Sequence, residues 1–197
     1  MILNKIQSIP PEIKLIIKSR IKEFKDNKNL FSELCFCLLT ANFQAQRCIE
    51  IQNKLKDKFI LLTEQQLAGE LKSAGHRFPN TRAKYIYEAR QHQKLICSLP
   101  QNGKQARKIL VKNIKGLGMK EASHFLRNIG YTDVAIIDFH ILDLLEKPGL
   151  IKKPKTMTKK KYLEIEKILE NLANQANLNL AELDLCLWYL ETGKVLK

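Results

Sequence analysis

Apolar residues recur along this chain at helical spacing, and no stretch alternates like a strand for long. Pro10-Pro11 opens the first pattern, which predicts a helix to about Lys25, proline being favoured in a first turn. In "LFSELCFCLLT" the apolar positions cover most sides, so this segment, capped by Asn29, is expected to be a central buried helix. A short "ANFQ" break separates it from "AQRCIEIQNKLKDKF". Thr63 with Gln66 forms a capping-box pattern for "EQQLAGELKSA", and Asn80 is expected to cap a helix over "TRAKYIYEARQHQKL". "KQARKILVKN" then leads into Gly116 and Gly118, with further helices from about Met119, from Asp138, and from Thr158 to about Gln175. A second capping box, Asn179 with Glu182, opens "LAELDLCLWYLET", which Gly193 closes. The pattern predicts an all-α fold of about ten helices. "KKPKTMTKKK" (152–161) reads as an exposed linker.

Length and charge narrow the class. The 197 residues suffice for one medium domain or two small lobes. Lys plus Arg number 34 against 20 Asp plus Glu, a net charge of +14, which suits a polyanion, nucleic acid above all; a solvated lysine-rich surface is the alternative. Of the basic residues 27 are lysines, which favours diffuse phosphate contact over bidentate reading of base edges. The five cysteines (Cys35, Cys37, Cys48, Cys97 and Cys186) lack paired ligand spacing, so reduced core thiols are expected and neither zinc nor an iron–sulfur cluster is indicated. The longest apolar run, Leu34 to Leu39, is far short of a membrane span, and the first residues lack a signal peptide's pattern. A soluble, cytoplasmic chain with no membrane partner is expected.

The candidate chemistry starts at "IKGLGMKEASHFLRN" (114–128). Gly116 and Gly118 between two helices describe a helix-hairpin-helix, whose backbone amides and helix N-terminus can hold a phosphate without reading sequence. Glycines also serve tight helix turns for packing alone. Lys120 stands two residues after the second glycine. Eighteen residues on, Asp138 in "VAIIDFHIL" sits between an apolar stretch and a helix, a natural N-cap position.

Together Gly116, Gly118, Lys120, Asp138 and His140 resemble the signature of the endonuclease III-like helix-hairpin-helix DNA glycosylase superfamily: lysine just after the hairpin, then an apolar-Asp-x-His element. Within it the chain is most similar to the type 2 8-oxoguanine DNA glycosylase/AP lyases of archaea and bacteria. "LTANFQAQR", "AGHRFPNTRAKYI" and "LCLWYLETGKVLK" carry that likeness over essentially the whole length, without the iron–sulfur loop of other members. The resemblance implies two helical subdomains, approximately 30–130 and approximately 1–29 plus 131–197, with a DNA-binding cleft between them. It implies excision of 8-oxoguanine from duplex DNA and nicking of the abasic strand by a monomer without organic cofactor or catalytic metal, though the hairpin of this family can hold a monovalent cation.

The site residues follow from the same resemblance and suit the chemistry. A glycosylase extrudes its nucleotide, because C1′ is unreachable in the stack. A neutral lysine amine can then attack C1′ and form a protonatable imine. Lys120 is the expected nucleophile and Asp138 the stabiliser of positive charge on the sugar. His140 would donate to a phosphate, or serve as a buried structural histidine. Trp188 and Phe78 would sandwich the extruded base, with core packing as the alternative, and the carboxylate of Lys197 would help hold it. Asn42 would fill the gap opposite the flipped base, and Arg77 and Arg82 would meet phosphates or the opposite strand. A glycosylase for an oxidised pyrimidine or uracil, and a non-enzymatic hairpin module, are the other readings; pure binding would require neither Lys120 nor Asp138.

Overall fold

Apolar spacing is converted into helices throughout the computed structural model, which describes residues 2–197. The helices are α1 (Ile2–Gln7), α2 (Pro11–Asp26), α3 (Leu30–Thr40), α4 (Ala45–Leu55), α5 (Lys58–Leu61), α6 (Glu64–Ser73), α7 (Pro79–Ala89), α8 (Gln93–Cys97), α9 (Gly103–Asn113), α10 (Met119–Asn128), α11 (Phe139–Glu146), α12 (Lys159–Gln175) and α13 (Leu180–Thr192). One 3₁₀ turn, Arg90–His92, joins α7 to α8, and the described residues contain no strand. The all-α class expected from the periodicity is what forms. None of these helices is long and apolar enough to cross a membrane.

The chain divides into two compact units, Lys28–Phe125, and the residues up to Asn27 with Leu126–Lys197. The first boundary lies just before α3; the second runs through α10 rather than behind it.

Within Lys28–Phe125 the central element is α3. Every residue from Phe31 to Thr40 is buried, as expected of a helix apolar on most sides. Asn29 caps it by accepting from Ser32 N–H at 3.2 Å. It packs against α4, α7 and α8, while α6 lies along α7. The Thr63–Gln66 capping box opens α6 as its sequence implies.

The second unit is organised around α13, which packs on α1, α2, α11 and α12. Its capping box, Asn179 with Glu182, and its left-handed Gly193 C-cap are those the sequence announces. Thr158 caps α12. A buried ion pair, Arg127 Nη1 to Asp184 Oδ2 at 2.5 Å, ties the end of α10 to α13.

Three expectations are corrected. Asn80 does not cap a helix: α7 starts at Pro79 with Phe78 in the cap position, because proline's fixed φ and missing N–H suit the first helical residue. That helix also stops at Ala89, where the Arg90 guanidinium turns to the carbonyls of Phe59 (Nε, 3.0 Å) and Leu62 (Nη2, 2.6 Å). Cys97 is exposed rather than a core thiol; the other four cysteines are buried and all five are free.

Candidate active site

The hairpin is built by sterics at one glycine and openness at the other. Gly116 has φ +91°, and a β-carbon on it would lie 2.3 Å from Cδ2 of Tyr85 on α7. A β-carbon on Gly118 would meet only Glu121 Oε2, at 3.0 Å, and the Gly118 carbonyl takes the first bond of α10 from Ala122 N–H. The flanking helices are bolted together by a fully buried guanidinium, Arg107 Nη1 donating to Ser123 Oγ at 3.0 Å. The turn is therefore held from three sides while its Gly118 corner stays clear.

Lys120 follows in the first turn of α10, half-buried. Its charge acts on Cys48 of α4: burial pushes that thiol up to about 12, with Lys120 first and Arg82 second of the charges drawing it back. The charges of Lys120 and Arg82 thus both act on a thiol that burial keeps protonated.

Asp138 is held by a different device. Residues 134–137 form neither helix nor strand and are buried, and side chains of α12 bond to backbone groups of Ala135 and Ile137. Glu166 Oε1 accepts from Ala135 N–H at 2.9 Å; the Tyr162 hydroxyl donates to Ala135 O at 2.7 Å and accepts from Ile137 N–H. Asp138 then caps α11, Oδ1 accepting from Ile141 N–H at 3.0 Å. The capping role is real, and it fixes the carboxylate at the positive end of a helix.

Beside it an aromatic row forms. The Phe139 and His140 rings lie 4.0 Å apart, and His140 meets Trp188 of α13 at 5.4 Å and 90°. Phe139 is 62% exposed, although nothing in its sequence pattern marks it. Trp188 is half-buried, and its Nε1 is buried with no hydrogen-bond partner among the described residues. Lys197 lies half-buried in the non-helical segment behind Gly193.

A third cluster gathers around the end of α3. Asn42 is exposed and adopts the left-handed conformation (φ 59°). Arg82 Nη2 donates to the carbonyl of Ala41, on one side of Asn42, at 2.6 Å. Phe43, on the other side, lies against the His76 ring with centroids 4.3 Å apart. Phe78 stands at the surface with the guanidinium of exposed Arg77 5.0 Å above its ring and that of Arg82 5.9 Å away. Arg82, expected at a phosphate or the opposite strand, is turned inward and is only 7% exposed. The physical reason is that a helix end leaves carbonyls unpaired, and a buried cation satisfies one of them. The structure therefore brings Asn42, Phe78, Arg77 and Arg82 together, and His140 with Trp188 beside Asp138. His76, at the centre of the first group, has no signal in the sequence beyond following the helix-ending Gly75.

The architecture carrying these residues is that of the helix-hairpin-helix glycosylases: over 90% of this chain and 85% of that one it superposes on endonuclease III in a non-covalent DNA complex, with a TM-score of 0.65 at 17% identity, a likeness of fold. Inside that class the assignment is narrower. The family model for 8-oxoguanine DNA glycosylase matches residues 17–178, and the chain belongs to that family. An 8-oxoguanine DNA glycosylase/AP lyase of Methanocaldococcus jannaschii is 52% identical over the whole of both chains, and one of Korarchaeum cryptofilum is 50% identical over 94% of this chain and 92% of its own. The crystal structure of the Methanocaldococcus jannaschii 8-oxoguanine glycosylase/lyase with a 15mer DNA containing 8-oxoguanine superposes over all of both chains, with a TM-score of 0.96 and 51% identity.

Proposed function

We propose that this protein excises 8-oxoguanine from duplex DNA and cleaves the resulting abasic strand, with Lys120 as nucleophile. The observation that carries this reading is the full-length likeness to a glycosylase/AP lyase at 52% identity. A hairpin that delivers a lysine and a helix N-terminus that presents an aspartate support the residue roles.

In this reading the Gly116–Gly118 turn and the basic surface grip phosphates, and the damaged nucleotide is extruded. The Lys120 amine forms a bond to C1′ as the C1′–N9 bond breaks and the base departs with a proton. Asp138 stabilises the positive charge that grows on the sugar. Opening of the ring gives the protonated imine; loss of a C2′ proton then expels the 3′ phosphate by β-elimination. Phe78 and Trp188 stack on the base, Lys197 assists its recognition, His140 meets a phosphate, and Asn42 occupies the gap on the opposite side.

A duplex with one 8-oxoguanine, incubated with the protein and borohydride, tests the chemistry. A covalent adduct should form and should vanish in Lys120→Gln, while that variant still binds the duplex. Trapping retained by Lys120→Gln would move the nucleophile elsewhere. Cleavage of oxidised-pyrimidine or uracil duplexes in preference to 8-oxoguanine would change the substrate.

A further inference from the structure

His76 is buried, 4% exposed, at a position the proposed chemistry does not use. A Schellman turn puts it there: α6 ends through Gly75 (φ +74°), with Gly75 N–H on Lys72 O and His76 N–H on Leu71 O, which sends the next side chain inward. Both ring nitrogens are engaged. Nδ1 accepts from Phe78 N–H at 3.1 Å, so in the neutral ring Nε2 carries the hydrogen and donates to Leu39 O at 3.0 Å. The ring face lies against Phe43. One imidazole thus joins the segment that presents Phe78 to the helix end that presents Asn42.

We infer that His76 is a positioning residue that sets the base-stacking Phe78 and the opposite-strand Asn42 in fixed relation, so that lesion recognition and reading of the opposite base share one support. This deepens the function proposed above and rests on it. The carbonyl of Phe78 is held by the first bond of α7, from Arg82 N–H at 3.1 Å, while its N–H depends on the imidazole and the next residue, Pro79, has no N–H to give, so losing the Nδ1 acceptor loosens the side of Phe78 that faces His76. Likewise Leu39 O is among the last carbonyls of α3, which have no partner in the helix, and the Phe43 ring rests on the same imidazole. Arg82, holding Ala41 O, is the charged group that faces the ring.

The two links are separable by substitution. His76→Asn places an amide oxygen near the Nδ1 position and keeps an acceptor for Phe78 N–H, while losing the donor to Leu39. His76→Gln reaches the Nε2 position and keeps that donor, while losing the acceptor. His76→Gln should slow single-turnover excision of 8-oxoguanine on the order of tenfold, the cost of a misplaced contact, while strand cleavage at a preformed abasic site slows far less. Its preference among bases opposite the lesion should persist. His76→Asn should largely keep excision but weaken the discrimination among opposite bases, bringing their excision rates closer together. Amide hydrogen exchange supplies the signature a merely structural role would not produce: Phe78 N–H protection lost in His76→Gln and kept in His76→Asn. If both variants lose the same activities in proportion to a common loss of thermal stability, or if Phe78 exchange is alike in both, the coupling is overturned. If the unaltered protein does not excise 8-oxoguanine, the functional reading falls and this inference with it, an outcome distinct from an active protein with indistinguishable variants.

Discussion

The ring of Tyr85 occupies the space where Gly116 would carry a β-carbon, 2.3 Å from Cδ2, whereas two residues further on Gly118 has only the flexible end of Glu121 nearby. Two glycines that look equivalent in the sequence thus have different reasons to be glycine. Gly116 is required by the fold; Gly118 is not, so the room beside it is available to another molecule.

Substituting the two should separate stability from binding. Gly116→Ala adds a clash and a left-handed backbone strain, and should lower stability by about 1–3 kcal/mol, measured by urea unfolding. Gly118→Leu should leave the unfolding midpoint nearly unchanged and weaken duplex binding for damaged and undamaged DNA alike, measured by fluorescence anisotropy. Selective loss for lesion DNA would contradict a hairpin that contacts backbone only.

Asp138→Asn tests the two roles of one side chain. Asparagine caps helices as well as aspartate, so the Ile141 N–H bond and the melting temperature should be preserved. The excision rate should fall roughly 10²–10⁴-fold, the usual loss for a positioned electrostatic or proton-transfer group. A lowered melting temperature with an unchanged rate would leave the cap as its only role.

The Arg127–Asp184 pair, with side chains 4% and 13% exposed, should matter far more than the exposed Lys153–Asp143 pair. Asp184→Ala leaves the buried Arg127 charge without its carboxylate, with Asn128 Oδ1 and the Phe24 ring left beside it, and should cost about 3–5 kcal/mol in denaturant unfolding. Asp143→Ala should hardly shift the midpoint. Comparable losses from both would mean that burial does not set the strength of these pairs.

His76 gives stability a pH dependence of known sign. Burial pushes its imidazole below the ordinary value of 6.5, the Leu39 carbonyl pulls it up, and the Arg82 guanidinium pushes it down again, leaving it lowered. The unfolded chain therefore binds this proton more readily than the folded one. The contribution is fully present above 6.5 and declines as the pH falls from there towards the folded value. Unfolding midpoints compared at about pH 7.5 and about pH 5.5 should drop more for the unaltered protein than for His76→Asn, which has no titrating ring. Equal drops would assign the slope to other groups.

Local signals determined much of this protein. Helical period and caps such as Thr63, Thr158, Asn179 and Gly193 act within a few residues, so they fix elements wherever the chain goes, and the structure honours them. The same holds for Lys120 after the hairpin and Asp138 at the start of α11, whose spacing is a property of one short segment. Short elements such as α1, α5 and α8 carry too little periodicity to be read, and the stop of α7 at Ala89 depends on Arg90 reaching carbonyls some 30 positions away along the chain. Only the tertiary structure could decide which glycine Tyr85 fills, that Arg82 turns inward to Ala41 while Arg77 stays outside, and that His76 faces Leu39 and Phe78 together. Each depends on a partner at least 30 positions distant, or on the direction a helix end imposes on the next side chain. Sequence pattern records which residues can form an element; which unpaired carbonyl or open space a side chain meets is settled when the elements pack.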